Sequence, residues 1–127
     1  SEVGKEKITV TFTPHLIPVS RGILSTMYLQ MTRELGAQEL HKLYIDHYKD
    51  EKFVRILPIG KMANIRNVTH SNYCDISIHL DQRTNRLVII SAIDNMIKGA
   101  AGQAIQNMNI RMGFKEEEGL TLVPPAF

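Results

Sequence analysis

The sequence predicts an α+β domain with a mixed, largely antiparallel sheet covered by helices. Segments with alternating apolar and polar residues, typical of half-buried strands, recur along the chain. Two other segments space their apolar residues as helices do. Residues 73–80 and 86–93 are separated only by the turn sequence DQRTN, which predicts an antiparallel hairpin. No strand–helix–strand unit with a glycine-rich first turn is seen, so no Rossmann unit is predicted.

Composition narrows the class of protein. A chain of 127 residues with 43% hydrophobic and 22% charged residues is typical of one globular domain. The net charge of +2 comes from scattered basic residues, which argues against a nucleic-acid or membrane partner. No apolar stretch is long enough to span a bilayer. The single cysteine and the hydrophilic start SEVGKEK predict a cytoplasmic or organelle-matrix location.

Strand-like patterns define most of the sheet. The two prolines of residues 14–22 predict an extended loop after the first strand, and the weakly patterned residues 60–72 are expected to mix loop with a short strand. The remaining predicted strands are residues 7–13, 23–31, 53–57, 73–80 and 86–93. In the hairpin Cys74, Ile76, Ile78 and Leu80 share one face, and Tyr73, Asp75, Ser77 and His79 share the other, which we expect to be solvated or paired across a dimer.

Two helices are predicted. The first begins after an N-cap at Gly36. The second is capped by Asp94 or Asn95 and runs to about Met112, followed by Gly113 at the position where helices favour glycine. The tail, residues 121–127, is expected to be an extended strap. The apolar stripe of the first helix is Leu40, Leu43, Tyr44, His47 and Tyr48, and the apolar face of the second is Ile97, Ala101, Ala104, Ile105, Met108 and Met112.

The second helix also carries a polar, glycine-containing stripe. A glycine inside a helix costs roughly 1 kcal/mol relative to alanine, so two in the first turns need a reason. Either another element packs closely there, or a ligand approaches the backbone and the unpaired N–H groups of the first turn. The stripe consists of Asn95, Gly99, Gly102 or Gln103, and Gln106, with Lys98 beside it.

The residue pattern predicts no complete catalytic group and no metal site. Cys74 lies on an apolar strand face, and His79 points to the opposite face, so we interpret Cys74 as a core residue. The histidines lack metal-ligand spacing. His15 and Arg21 share a proline-containing loop, where the Arg21 guanidinium either binds a phosphate or carboxylate or forms a surface salt bridge.

Four motifs carry a resemblance to a known family that extends from about residue 7 to residue 120. The motifs are FTPHLIPVSRGI (12–23), FVRILP (53–58), SNYCDI (71–76) and SAIDNMIKGAAGQAIQNMN (91–109). In these motifs the sequence resembles the N-acetyl-gamma-glutamyl-phosphate reductase family, within the semialdehyde dehydrogenase group.

The resemblance implies an NADPH-dependent reduction of an acyl phosphate, N-acetyl-glutamyl 5-phosphate, to an aldehyde in arginine biosynthesis. It implies a fold like the C-terminal domain of glyceraldehyde-phosphate dehydrogenase, joined to an N-terminal Rossmann part and assembled as a homodimer or homotetramer. By the same resemblance, substrate is bound by His15 and Arg21, and NADP by Asn95, Lys98, Gly99, Gly102 and Gln103.

The sequence departs from the family pattern in the motifs that carry the catalytic chemistry and bind the nucleotide. The family's nucleophile motif (GCYPT type), its histidine motif (HxPEI type) and a glycine-rich nucleotide fingerprint do not occur in residues 1–127. We therefore expect a C-terminal substrate and dimerisation domain that is inactive alone. The alternative is a free-standing, non-catalytic oligomerisation or regulatory module derived from that family.

Overall fold

Four β-strands and two α-helices form the part of the chain that the computed structural model describes, residues 9–124. This arrangement confirms the predicted α+β class. In chain order the elements are β1 (Ile23–Gln30), α1 (Ala37–Tyr48), β2 (Val54–Ile56), a 3₁₀ turn (Ile65–Asn67), β3 (Cys74–Asp81), β4 (Arg86–Ile93), a π-helical turn (Ile97–Ala101) and α2 (Gly102–Met112).

The strands form one sheet in the order β1-β4-β3-β2. β4 pairs antiparallel with both β1 and β3, while β2 pairs parallel with β3, so the sheet is mixed and largely antiparallel as predicted. The predicted hairpin is confirmed, with Ile78 opposite Ile89 in the register of β3 and β4. β1 lies at one edge of this sheet.

Helix α1 covers one face of the sheet. Leu40 of α1 is buried against Ile76, Ile78, Leu87 and Ile89, and burying each such side chain stabilises the fold by about 1.5–3 kcal/mol. Gly36 is the N-cap of α1, as the sequence predicts. The half-buried Cys74 packs at the margin of this cluster, which confirms its placement on the apolar face.

The segment between β2 and β3 covers the other face. Ala63 and Val68 pack there against β4, and the Ala63 N–H donates to the buried Ser77 Oγ at 3.1 Å. Asp75, also buried, pairs with Arg55 of β2 at 2.6 Å. The expectation that the Asp75–Ser77 face is solvated or paired across a dimer is therefore wrong, because the chain's own loop covers it.

Two further expectations about strands are wrong. Residues 9–13 are exposed and form no strand, because no described segment lies beside them to pair with their backbone; residues 7–8 of that predicted strand lie outside the described residues. The short strand expected within residues 60–72 is replaced by the 3₁₀ turn, where the Asn64 side chain accepts from the Arg66 N–H at 2.9 Å. Residues 121–124 have no regular structure, and 125–127 lie outside the described range.

Within residues 9–124, we find no helix that combines the length and the apolarity needed to cross a membrane.

Candidate functional site

Asp94 is the centre of the candidate site. It directly follows β4, and its side chain is fully buried. Oδ1 accepts hydrogen bonds from the N–H groups of Met96 and Ile97 at 2.8 and 2.9 Å, which confirms the predicted capping role. Oδ2 accepts from the His70 N–H and from Arg21 Nε, each at 2.6 Å. One carboxylate therefore joins three segments that are distant in sequence.

The carboxylate stays ionised despite its burial. Burial by itself raises the pKa of Asp94, but the hydrogen bonds from Arg21, His70, Ile97 and Met96 together outweigh it and hold the pKa below its ordinary value. The sequence pattern missed the Arg21 and His70 contacts because these residues lie 73 and 24 positions away in the chain.

This depressed pKa predicts a specific acid sensitivity. Asp94→Asn is expected to lower the free energy of unfolding by about 2–4 kcal/mol at neutral pH, because Arg21 and three backbone N–H groups lose a buried, charged acceptor. The wild-type advantage is complete above the ordinary carboxyl pKa of 3.8 and is lost as the pH falls through the lower, folded-state pKa.

Urea unfolding of wild type and Asp94→Asn at several pH values between neutral and about pH 2 measures this difference directly. A gap between the two proteins that stays constant across the acidic range would contradict the assignment of a depressed Asp94 pKa.

The chain after Asp94 forms a π-helical turn instead of the plain helix that the sequence predicts. The Gly99 N–H donates to the Asp94 carbonyl at 2.9 Å, and the Ala101 N–H donates to the Met96 carbonyl at 3.1 Å, both across five residues. π-helical turns are rare overall, and those that do occur often lie at functional sites. The turn then continues into α2, which ends at Gly113 with φ +76° in the left-handed region, as predicted.

Asn95 ties this turn to the start of β1. Its Oδ1 accepts from the Gly22 N–H at 2.7 Å. Two consecutive residues just before the turn, Asp94 and Asn95, therefore hold two consecutive residues of the 14–22 loop, Arg21 and Gly22. The structure thus brings one predicted substrate residue beside the predicted cofactor segment.

Gly99, within the turn, and Gly102, the first residue of α2, are glycines for different reasons. Gly102 is buried, and an added Cβ would overlap Asn72 Oδ1 and lie 2.9 Å from the Ile97 carbonyl oxygen, so close packing explains it. Gly99 is exposed, and the nearest atom to an added Cβ would be the Asp94 carbonyl oxygen at 3.5 Å, an ordinary contact. Nothing in residues 9–124 requires a glycine at position 99.

Lys98 points toward its own chain. Its Nζ donates to Gln106 Oε1 at 2.7 Å and lies 5.6 Å from the centre of the Phe53 ring, and burial lowers its pKa. Asn72 Nδ2 donates to the same Gln106 oxygen at 3.0 Å. Gln103 is half-buried, and its Nε2 donates to Asn107 Oδ1 at 3.0 Å.

Helix α2 is oriented with its polar side inward. Gln106 and Asn109 are buried and hydrogen-bond to the following 116–118 segment. The predicted apolar face points outward, with Ile105, Met108 and Met112 exposed by 40%, 51% and 65%. An amphipathic helix normally buries its apolar stripe, so this exposed face is available for contact with another protein surface.

His15 lies apart from the other predicted site residues. It is exposed, and its Nδ1 lies 3.2 Å from the Thr13 carbonyl oxygen within its own loop.

Burial raises the pKa of the Cys74 thiol, which keeps that thiol protonated. Among residues 9–124, no group of three or more histidine, cysteine or acidic side chains is arranged to hold a metal ion.

The fold and the site define a class: an α+β domain that presents a glycine-containing turn and an oriented arginine at one end of its sheet. A family profile described as semialdehyde dehydrogenase, dimerisation domain, matches residues 1–95. The chain belongs to this semialdehyde dehydrogenase dimerisation-domain family.

Similar proteins carry a more specific name. A protein of Clostridium botulinum (strain Alaska E43 / Type E3) named N-acetyl-gamma-glutamyl-phosphate reductase is 58% identical over 127 residues, all of this chain and 37% of that protein. A protein of Brachyspira hyodysenteriae with the same name is 56% identical over the whole chain and 36% of its own length. The resemblance expected from the motifs is confirmed, and the chain spans little more than a third of these relatives.

Solved structures support the fold alone. The crystal structure of aspartate semialdehyde dehydrogenase II from Vibrio cholerae matches with a TM-score of 0.57 and 16% sequence identity, over 77% of this chain and 30% of that one.

Proposed function

We propose that this domain is the substrate and dimerisation part of an NADPH-dependent reductase that converts N-acetyl-glutamyl 5-phosphate to N-acetyl-glutamate 5-semialdehyde in arginine biosynthesis. The observation that carries the proposal is the identity of 56–58% over the entire chain to proteins named N-acetyl-gamma-glutamyl-phosphate reductase. The site supplies residues suited to the two ligands of such an enzyme.

The exposed side of the turn fits a flat cofactor ring. Gly99 has no side chain and no packing reason to lack one, so a ring can approach its backbone closely. Gln103 offers an amide one turn further on, while Asn95, Lys98 and Gly102 hold the turn in place through their own contacts. Bound NADPH would supply the hydride. The chain's residues orient the ring and keep bulk away from it.

Arg21 is the residue best suited to the anionic substrate. Its guanidinium is held by Asp94 at the same end of the sheet as Gly99, and a planar guanidinium matches a phosphate or carboxylate. His15, on the same loop, is proposed as a second substrate residue.

The nucleophile and the cofactor-binding Rossmann part are assigned to the portion of the relatives that this chain does not span, so the domain alone is proposed to be inactive. The outward apolar face of α2 is proposed to contact that part. This face lies beyond the residues 1–95 matched by the dimerisation-domain profile, and Ile105, Met108 and Met112 would be covered by the contact.

The sheet is proposed to mediate a homodimer or homotetramer. The profile match spans all four strands, and edge strand β1 leaves apolar side chains exposed on both faces, among them Leu24, Met27 and Tyr28. Sedimentation of the assembled enzyme is expected to show a dimer or a tetramer. A monomer at high protein concentration would contradict this assignment.

The function is tested by a hybrid reductase, in which residues 1–127 replace the matching 37% of the Clostridium botulinum relative. We expect the hybrid to fold and to oxidise NADPH only when N-acetyl-glutamyl 5-phosphate is present. A hybrid that folds and binds both ligands but does not transfer hydride would argue for the non-catalytic module instead.

Gly99→Ala in the hybrid reductase tests the cofactor surface. We expect the KM for NADPH to rise by about tenfold, because a methyl group would intrude between the turn and the ring. Gly36→Ala, at the N-cap of α1, is the matched control and is expected to leave this KM unchanged. Equal KM values for the two variants would remove Gly99 from the cofactor site.

A further inference from the structure

The Arg21–Asp94 ion pair uses only one donor group of the arginine. Asp94 Oδ2 accepts from Arg21 Nε, while Oδ1 already accepts from the N–H groups of Met96 and Ile97. Because the second oxygen is occupied, the arginine does not form the usual two-bond fork with the carboxylate. Within residues 9–124, its two Nη groups have no hydrogen-bond partner, and the side chain is 26% exposed.

A second ion pair, between Arg55 and Asp75 of the sheet, serves as a structural comparison. Arg55 Nε donates to Asp75 at 2.6 Å, the same distance, and Asp75 is also buried. Arg55, however, uses its Nη2 to donate to the Asn67 carbonyl at 3.1 Å, and its guanidinium lies 4.4 Å from the centre of the Tyr73 ring. The Arg55 guanidinium is therefore occupied by contacts within its own chain, whereas the two Nη groups of Arg21 have no hydrogen-bond partner within residues 9–124.

The carboxylate of Asp94 also fixes the backbone around the turn. His70 adopts a φ of +64°, a left-handed conformation that costs about 1 kcal/mol or more for a non-glycine residue, and in it the His70 N–H donates to Asp94. The same side chain caps the turn that carries Gly99. The Asp94 side chain therefore links the Arg21 guanidinium directly to the turn that carries Gly99.

We propose that Asp94 is a positioning residue that aims the free Nη donors of Arg21 at an anionic group of the substrate and sets their place relative to the Gly99 turn. This inference rests on the function proposed above and deepens it. Asp94 acts through Arg21 and the turn and does not itself touch the ligand.

The test compares Asp94→Asn with Asp75→Asn in the hybrid reductase. Both variants are expected to lower the melting temperature, since each neutralises a buried carboxylate that is paired with a partly exposed arginine. Asp94→Asn is also expected to raise the KM for N-acetyl-glutamyl 5-phosphate by about 10- to 100-fold, the worth of one charge-assisted hydrogen bond, with a smaller change in kcat. Asp75→Asn is expected to leave this KM within about twofold of wild type. A similar KM in both variants would overturn the proposal.

Conservative arginine variants keep the test decisive if Asp94→Asn does not fold. Arg21→Lys retains the positive charge but loses the planar fork, and we expect it to raise the same KM, whereas Arg55→Lys does not. An unchanged KM in Arg21→Lys would equally overturn the proposal.

A readout without turnover separates this inference from the proposed function. Inorganic phosphate is expected to slow the modification of Arg21 by phenylglyoxal, measured by peptide mass spectrometry, in the wild-type hybrid and not in Asp94→Asn. If the hybrid lacks reductase activity but shows this protection, the proposed function fails and the positioning role stands. If phosphate protects Arg21 equally in both proteins, or in neither, the positioning role fails.

Discussion

Replacing Gly102 with alanine is expected to lower the free energy of unfolding by about 3 kcal/mol, whereas the same replacement at Gly99 is expected to raise it by about 0.5 kcal/mol. At Gly102 the new methyl group would overlap Asn72 Oδ1 and lie 2.9 Å from the Ile97 carbonyl oxygen. The carbonyl belongs to the backbone of the π-helical turn, so it cannot rotate away as a side chain does. Asn72 is fully buried and hydrogen-bonded to Gln106, so its movement would disturb the inner side of α2.

Gly99 is the matched control, because it lies three residues earlier in the π-helical turn and its Cβ would make only ordinary contacts. There, alanine restricts the unfolded chain without a clash. Urea unfolding of both variants and wild type measures the two effects under identical conditions. A Gly102→Ala variant as stable as wild type would show that Asn72 and the turn relax at little cost.

Replacing Gly22 with alanine is expected to lower the free energy of unfolding by about 3 kcal/mol or more, from two sources. Gly22 has a φ of +113°, which side-chain-bearing residues rarely adopt, and an added Cβ would overlap Cγ2 of Ile65. The Gly22 N–H also donates to Asn95, so a shift of this residue would pull on the candidate site.

Gly60→Ala separates the two sources. Gly60 also has a positive φ, of +84°, but an added Cβ there would have nothing within 4 Å. We expect this variant to lose only the conformational part, about 1–2 kcal/mol. The double variant Gly22→Ala with Ile65→Ala is expected to recover part of the loss caused by Gly22→Ala, because it removes the overlapping methyl group. Thermal unfolding of the four proteins tests this, and equal losses at positions 22 and 60 would refute the role of Ile65.

Features that depend on neighbours in the chain were predictable from the sequence. The β3–β4 hairpin, the N-cap at Gly36 and the left-handed Gly113 after α2 all appear where the residue pattern places them. Side-chain alternation, capping and chain reversal act over a few residues, so a pattern of a few residues records them. The same short range explains the failure at residues 9–13, where a strand pattern is present but no described segment lies alongside to pair with it.

The candidate site was predictable in part. The sequence singled out Arg21, Asn95, Gly99 and Lys98. It did not indicate that the loop with Arg21 is hydrogen-bonded to the segment with Asn95, or that the Lys98 side chain turns inward. Their roles as ligand-binding residues stay predictions. Asp94 was recognised as a helix cap alone, because its other two partners come from distant loops.

The sequence by itself determined the class of fold, the β3–β4 hairpin and the family, because periodicity and motif identity are properties of the chain. Only the tertiary structure decided which glycine serves packing, which side of α2 faces inward and what the Asp94 carboxylate joins. Each of these depends on a residue that is remote in sequence: Asn72 beside Gly102, Asn72 again beside Gln106 on the inner side of α2, and Arg21 beside Asp94. A buried polar group must find its partner wherever the fold supplies one, and that partner is not written into the local pattern.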